Sequence, residues 1–255
     1  MIIFGGVDGT GVWDDAEYAR TFENSFVNQL FRGWSDGSKS YFRGPTTLDN
    51  KPDCCTFLSA YRTYNFVKSI WRQGRDGVFL AGYSRGGAVM IEVAKALEAD
   101  CIPVDCLILF DAVDRTWQLG LPWENTPIAV TVEKVIYAKR SPAAESRESF
   151  KNCGLMMERG GRTPYFEFFA THGGLGGVPW TEAGEGGLID EGLPDGYTRV
   201  SVEGDRLGAD NVKRWAFGEI NAALADCRRR LAYGSSSPSR SSVPGFNNGL
   251  TPAYR

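Results

Sequence analysis

The segment Val78-Phe79-Leu80-Ala81-Gly82-Tyr83-Ser84-Arg85-Gly86-Gly87 constrains the fold more tightly than any other part of the chain. Its four leading apolar residues read as a strand buried on both faces, and the stretch that follows places Val89, Val93 and Leu97 four apart on one helical face. Strand, tight turn and helix in that order make a nucleophile elbow. Small residues around Ser84 let the backbone bend, the hydroxyl is pushed out of the fold, and a helix N-terminus lies where negative charge develops. The implied chemistry is acyl transfer with Ser84 as nucleophile. A glycine-rich turn with an ordinary serine spells the same five letters, so the weight rests on the flanks.

The second constraint is scarcity, because the chain has a single histidine. If an imidazole activates Ser84 it is His172, which follows the aromatic run Tyr165-Phe166-Glu167-Phe168-Phe169 and enters the glycine-rich stretch Gly173-Gly174-Leu175-Gly176-Gly177. Elbow enzymes present serine, then acid, then histidine along the chain, and His172 obeys that order. Such a base needs a carboxylate to hold its tautomer and stabilise the imidazolium. Asp111 ends the apolar run Cys106-Leu107-Ile108-Leu109-Phe110 and so falls on the rim where sites form in open parallel sheets; Asp114 is the alternative. A cap or turn aspartate is the plain structural reading of either.

Met1-Ile2-Ile3-Phe4 reads as a short first strand, and Gly5-Gly6-Val7-Asp8-Gly9-Thr10-Gly11 as a loop whose backbone can approach a ligand closely. Elbow enzymes draw one oxyanion donor from the residue after the nucleophile, here Arg85, and another from a loop after an early strand. Gly9 or Thr10 is the expected second donor. The loop lacks the dinucleotide fingerprint, and no Walker sequence occurs. Asp8, Asp14 and Asp15 read as turn-forming aspartates rather than cation ligands.

Elsewhere, residues 17–31 and 56–73 carry helical spacing, residues 39–43, 132–138 and 165–170 read as strands, and 212–231 as a closing helix. This alternation predicts parallel strands joined by right-handed crossovers with helices on both faces. Trp117, Leu119, Leu121 and Trp123 lie in a segment broken by glycine and proline after Asp111, and are expected either as an apolar wall for an acyl chain or as core beneath a loop. Residues 173–198 are expected as a surface loop. Residues 1–233 form one expected catalytic domain, and the serine- and proline-rich residues 234–255 a flexible tail.

A formal charge of −3 and the lack of a basic block beyond Arg228-Arg229-Arg230 argue against a nucleic-acid partner. No segment has the length of a membrane span, and the start lacks a secretory leader pattern. The expectation is a soluble protein, cytoplasmic in the cell that makes it. Six cysteines without C-x-x-C spacing are expected as reduced, buried thiols, and with the one histidine assigned, neither a metal nor a cofactor is expected.

Four blocks, Phe4-Gly5-Gly6-Val7-Asp8-Gly9-Thr10-Gly11, Gly82-Tyr83-Ser84-Arg85-Gly86-Gly87, Phe110-Asp111-Ala112-Val113 and Thr171-His172-Gly173-Gly174-Leu175-Gly176-Gly177, together resemble the signature of the uncharacterised-domain 2235 group of α/β-hydrolases. That group includes the Tle1-type phospholipase effectors of bacterial type VI secretion. The resemblance spans about residues 1–220 and implies an α/β-hydrolase fold with Ser84 as nucleophile, Asp111 as acid and His172 as base. It also implies a lipid or phospholipid ester substrate, and it raises delivery by a specialised secretion system, with a secretion-machinery or immunity partner. The chain departs from the pattern at Gly174, where the group carries aspartate, and at Ala112, where it carries threonine. The expected activity is carboxylic ester hydrolysis. Thioesterase or amidase chemistry with the same three residues and a catalytically silent binding module are the alternatives.

Overall fold

A computed structural model describes residues 1–114 and 126–234. Six parallel strands lie in the order β2-β1-β3-β4-β5-β6: β1 (Ile2–Val7), β2 (Lys39–Phe42), β3 (Gly77–Tyr83), β4 (Val104–Phe110), β5 (Val132–Arg140) and β6 (Phe166–Phe168). Every residue of β1, β3 and β4 is buried, which explains why these strands read as apolar runs instead of alternating patterns. On one face Phe4, Phe79, Ala81, Ile108 and Phe110 pack with α1 (Asp15–Thr21), α2 (Phe26–Gly33) and α6 (Val202–Gly234). On the other, Ile3, Val78, Leu80, Leu107 and Leu109 pack with α3 (Thr56–Ile70) and α4 (Arg85–Ala99). This is an α/β-hydrolase fold, with the elbow at the end of β3 in the middle of the sheet.

Chain order reverses between β1 and β3, since β2 lies to one side of β1 while β3 to β6 run to the other. The crevice at the carboxyl ends of the strands flanking such a reversal is where open α/β sheets bind ligands. Glycine in β1 is a packing requirement: a Cβ on Gly5 would lie 2.8 Å from the Thr63 methyl of α3, and one on Gly6 would lie 2.9 Å from Val27 of α2.

Several expectations change in detail. The helix expected over 17–31 is two helices, because Ser25 caps a new one: its hydroxyl accepts from Asn28 N–H at 3.1 Å, while Phe26 N–H donates to Gly176 O at 2.9 Å. The surface loop expected over 173–198 holds most of α5 (His172–Leu175), β7 (Leu188–Asp190) and the start of β8 (Tyr197–Ser201), the last two paired as an antiparallel hairpin. The closing helix begins ten residues earlier than the apolar period suggests, at Val202. Gly208 hides that start, since glycine is a poor helix former; here it lets α6 approach Ala170, whose Cβ would lie 2.6 Å from an added one. Of the tail expected over 234–255, only Gly234 is among the described residues, as the end of α6.

Candidate active site

Ser84 stands between β3 and α4 with φ 55° and ψ −126°, a conformation that costs a non-glycine residue roughly 1–3 kcal/mol and survives only where its surroundings enforce it. The enforcement is visible. Ser84 N–H donates to Phe110 O at 3.0 Å, and Ser84 O accepts from Gly87 N–H at 2.9 Å and Val113 N–H at 3.1 Å. Both elbow glycines are needed for space: a Cβ on Gly82 would lie 2.3 Å from Gly86 O, and one on Gly86 would lie 2.2 Å from Val7 O. The hydroxyl is thereby aimed away from the sheet.

His172 opens the single-turn helix α5, capped by Thr171, whose hydroxyl accepts from Gly174 N–H at 3.1 Å. Its Nε2 lies 2.8 Å from Ser84 Oγ and its Nδ1 lies 2.6 Å from Asp111 Oδ2. An ionised carboxylate can only accept, so Nδ1 carries the proton and Nε2 is left to accept from the serine. The ring is held between Tyr83, 5.1 Å away, and the edge-on Phe150, 5.3 Å away. The Tyr83 hydroxyl donates to His172 O at 3.0 Å, and His172 N–H donates to Ser146 Oγ at 2.8 Å. Ring, carbonyl and amide are each fixed, so the imidazole has one orientation.

Asp111 directly follows β4 with φ 41° and is fully buried. Oδ2 receives His172 Nδ1–H and the Arg140 guanidinium, while Oδ1 receives Asn152 Nδ2–H at 2.8 Å and Arg140 N–H at 3.3 Å. All four lone-pair positions are filled. Burial opposes its charge, but the Arg140 cation and the His172 and Asn152 hydrogen bonds outweigh burial and hold the carboxyl well below the usual carboxylate range. Asp111, and not Asp114, meets the histidine.

A cavity of about 480 Å³ opens over this group, lined by Thr10, Ser84, Arg85, His172, Val178 and Trp180 among others. Thr10 N–H has no hydrogen bond among the described residues, whereas Gly9 N–H donates to Asp8 Oδ1 at 3.2 Å. Gly9 itself lies under Ser84, since a Cβ there would sit 3.2 Å from Ser84 Cβ. The Arg85 side chain is buried and donates to Thr46 O at 3.1 Å, tying the segment after β2 to the elbow. Trp117, Leu119, Leu121 and Trp123 lie outside the described residues.

Sequence reasoning missed Arg140, Asn152 and Asp205. Arg140 and Asn152 lie 29 and 41 residues from Asp111, and no local spacing links them to it. The one available signal was a basic residue closing the strand beside the strand that leads to Asp111, where the register pairs Phe110 with Ala138. Asp205, in the first turn of α6, accepts from Thr171 N–H at 2.7 Å, Thr171 Oγ1–H at 2.9 Å and Trp180 N–H at 3.0 Å. A Cβ at Gly174 would lie 2.3 Å from Asp205 Oδ1, so a carboxylate supplied by α6 occupies the space beside that position. Among the described residues no cluster of histidine, cysteine and acidic side chains is arranged to hold a metal, and no helix is long and apolar enough to cross a membrane.

No family model matches the chain, and no curated protein matches it. Among solved structures it is similar to the Tle1 effector bound to the VgrG spike of the type 6 secretion system, at 13% identity and a TM-score of 0.44, over 72% of this chain and 52% of that one. The chain thus spans about half the length of that effector. It is also similar to the NocB thioesterase domain from the nocardicin cluster, at 15% identity and a TM-score of 0.42, and to the same domain in covalent complex with a fluorophosphonate nocardicin G analogue, at 15% and 0.41; each match covers 85% of this chain and 94% of that one.

Proposed function

We propose that the protein is a serine hydrolase that cleaves carboxylic esters through an acyl-enzyme, with lipid or phospholipid esters as the substrate class. One observation carries the reading: an unbroken hydrogen-bonded series from Ser84 Oγ through both nitrogens of the chain's single histidine to a buried, cation-supported carboxylate. His172 Nε2 takes the serine proton as Oγ attacks the ester carbonyl, and Asp111 stabilises the resulting imidazolium. The oxyanion is received by the backbone N–H of Arg85 at the N-terminus of α4 and that of Thr10 in the loop after β1; Gly9, engaged by Asp8, is left out of that role. The imidazolium then protonates the departing alkoxide, and water, deprotonated by His172, releases the acid and restores Ser84. The apolar part of the cavity, with Val178 and Trp180, suits an acyl chain.

Membership of the uncharacterised-domain 2235 group, a cytoplasmic site of synthesis and export by a specialised secretion system with a matching partner are part of the same proposal. Membership, export and the partner rest on the four signature blocks. At Gly174, where the group carries aspartate, Asp205 of α6 puts a carboxylate beside the position, which supports a working site over a silent scaffold. Turnover of short p-nitrophenyl esters tests the core of the reading. Wild-type protein is expected to hydrolyse them, with Ser84→Ala and His172→Ala each lowering kcat by about 10⁴-fold or more. Equal rates in all three proteins would favour a binding module.

A further inference from the structure

Asp8 is a fully buried carboxyl next to the site that takes no part in the proposed chemistry. Asp8 directly follows β1, and no cation is among its hydrogen-bond partners. Its Oδ2 accepts from the Ser25 hydroxyl and from the Tyr41 hydroxyl at 2.8 Å, and its Oδ1 accepts from Gly9 N–H at 3.2 Å. Each partner leads somewhere. Gly9 is the residue packed under Ser84 Cβ, and its carbonyl is fixed from the other side by the Tyr18 hydroxyl at 2.7 Å. Ser25 caps α2, whose first amide, Phe26 N–H, bonds the Gly176 carbonyl just past the histidine helix. One carboxyl therefore fastens the loop bearing Thr10 and, through a single helix cap, the segment bearing His172.

We propose that Asp8 is a positioning residue, whose carboxylate, held by three donors, sets the oxyanion loop and the histidine segment in register with Ser84. The inference rests on the ester-hydrolase reading. Three donors converge on the two oxygens, so the ionised form satisfies all of them, and a proton on Oδ2, which already accepts from two hydroxyls, displaces one of them. Burial nonetheless pushes this carboxyl up to about 7, with the Ser25, Tyr41 and Gly9 hydrogen bonds opposing the rise. The titratable neighbours facing it are phenols: Tyr18 of α1, Tyr41 of β2 and Tyr83 of β3, each itself raised by burial, with Arg32 and Arg43 acting on Tyr41. The loop is thus fully fastened above neutrality and loosens below it.

Asp8→Asn places an amide donor against incoming donors without changing size, and Tyr41→Phe deletes one donor while keeping the carboxyl. With a p-nitrophenyl ester, Asp8→Asn is expected to lower kcat by about 10²-fold with KM changed by less than about 3-fold. The acid limb of log(kcat/KM) is expected to be steeper in the wild type than in Asp8→Asn by one proton, that of Asp8. Tyr41→Phe moves that limb up by about one pH unit, because a donor to the charged form is gone, and it carries the test if Asp8→Asn fails to fold. Equal slopes with kcat within about 2-fold, or an unmoved limb in Tyr41→Phe, overturn the inference. Fluorophosphonate labelling of wild-type Ser84 separates the two readings: a labelled wild type with unaltered variants sinks only the role of Asp8, whereas an unlabelled wild type sinks the hydrolase.

Discussion

Two carboxyls, Asp111 just past β4 and Asp8 just past β1, are equally buried, and their pKa values are shifted in opposite directions. Asp111 has a guanidinium, an imidazole and an amide around it and stays ionised; Asp8 has hydroxyls and one backbone amide and is pushed towards neutral pH. Burial is common to both, so the partner's charge decides the sign. The ionised one can stabilise an imidazolium during turnover. The other can set geometry, and its hold depends on pH.

Removing the first carboxylate gives the largest expected effect. Asp111→Asn is predicted to lower kcat by about 10⁴-fold, because the amide offers Nδ1 no charge and permits the wrong tautomer. Next is its cation: Arg140→Gln leaves a buried charge short of its counter-ion and is predicted to destabilise the fold by about 3–5 kcal/mol in urea unfolding. An unchanged midpoint would show that Arg140 is dispensable to the acid.

The stability profile against pH should separate the pair by sign. Asp111 has a depressed folded value, so its contribution is present above the ordinary 3.8 and is lost as pH falls below it. Asp8 has a raised folded value of about 7, so its contribution is complete below 3.8 and is lost as pH rises through 7. The second loss amounts to roughly 4 kcal/mol across that window. Asp8→Asn is therefore predicted to flatten the decline between pH 4 and 7 seen by chemical denaturation, even as it slows catalysis; a parallel profile in the variant contradicts the assignment. The smallest effect is steric: Gly174→Ala, whose Cβ would meet Asp205 Oδ1 at 2.3 Å, is predicted to cost about 1–3 kcal/mol.

The same contrast governs how much the sequence revealed. The elbow was legible because its requirements are local: a positive φ at Ser84 and two glycines without room for a Cβ sit within five residues. His172 stood out by being the sole imidazole, and Asp111 by ending an apolar run, and the structure brings these three together. The parallel sheet followed from strands buried on both faces. What supports the site was not legible, because Arg140, Asn152 and Asp205 act across long loops that leave no period to read. Asp8 was visible but read as a turn former, since nothing in Gly6-Val7-Asp8-Gly9 shows that Ser25 and Tyr41 will converge on it. Glycine misled in the other direction at the start of α6, where close packing against Ala170 outweighs poor helix propensity.

The central claim is that Ser84 is a nucleophile activated by His172, and covalent labelling tests it most directly. A fluorophosphonate probe followed by peptide mass mapping is expected to modify wild-type protein at Ser84 alone, to leave Ser84→Ala unmodified, and to label His172→Ala at least 10³-fold more slowly. Folded wild-type protein that takes up no probe at Ser84, or labels equally fast without its imidazole, would contradict the account.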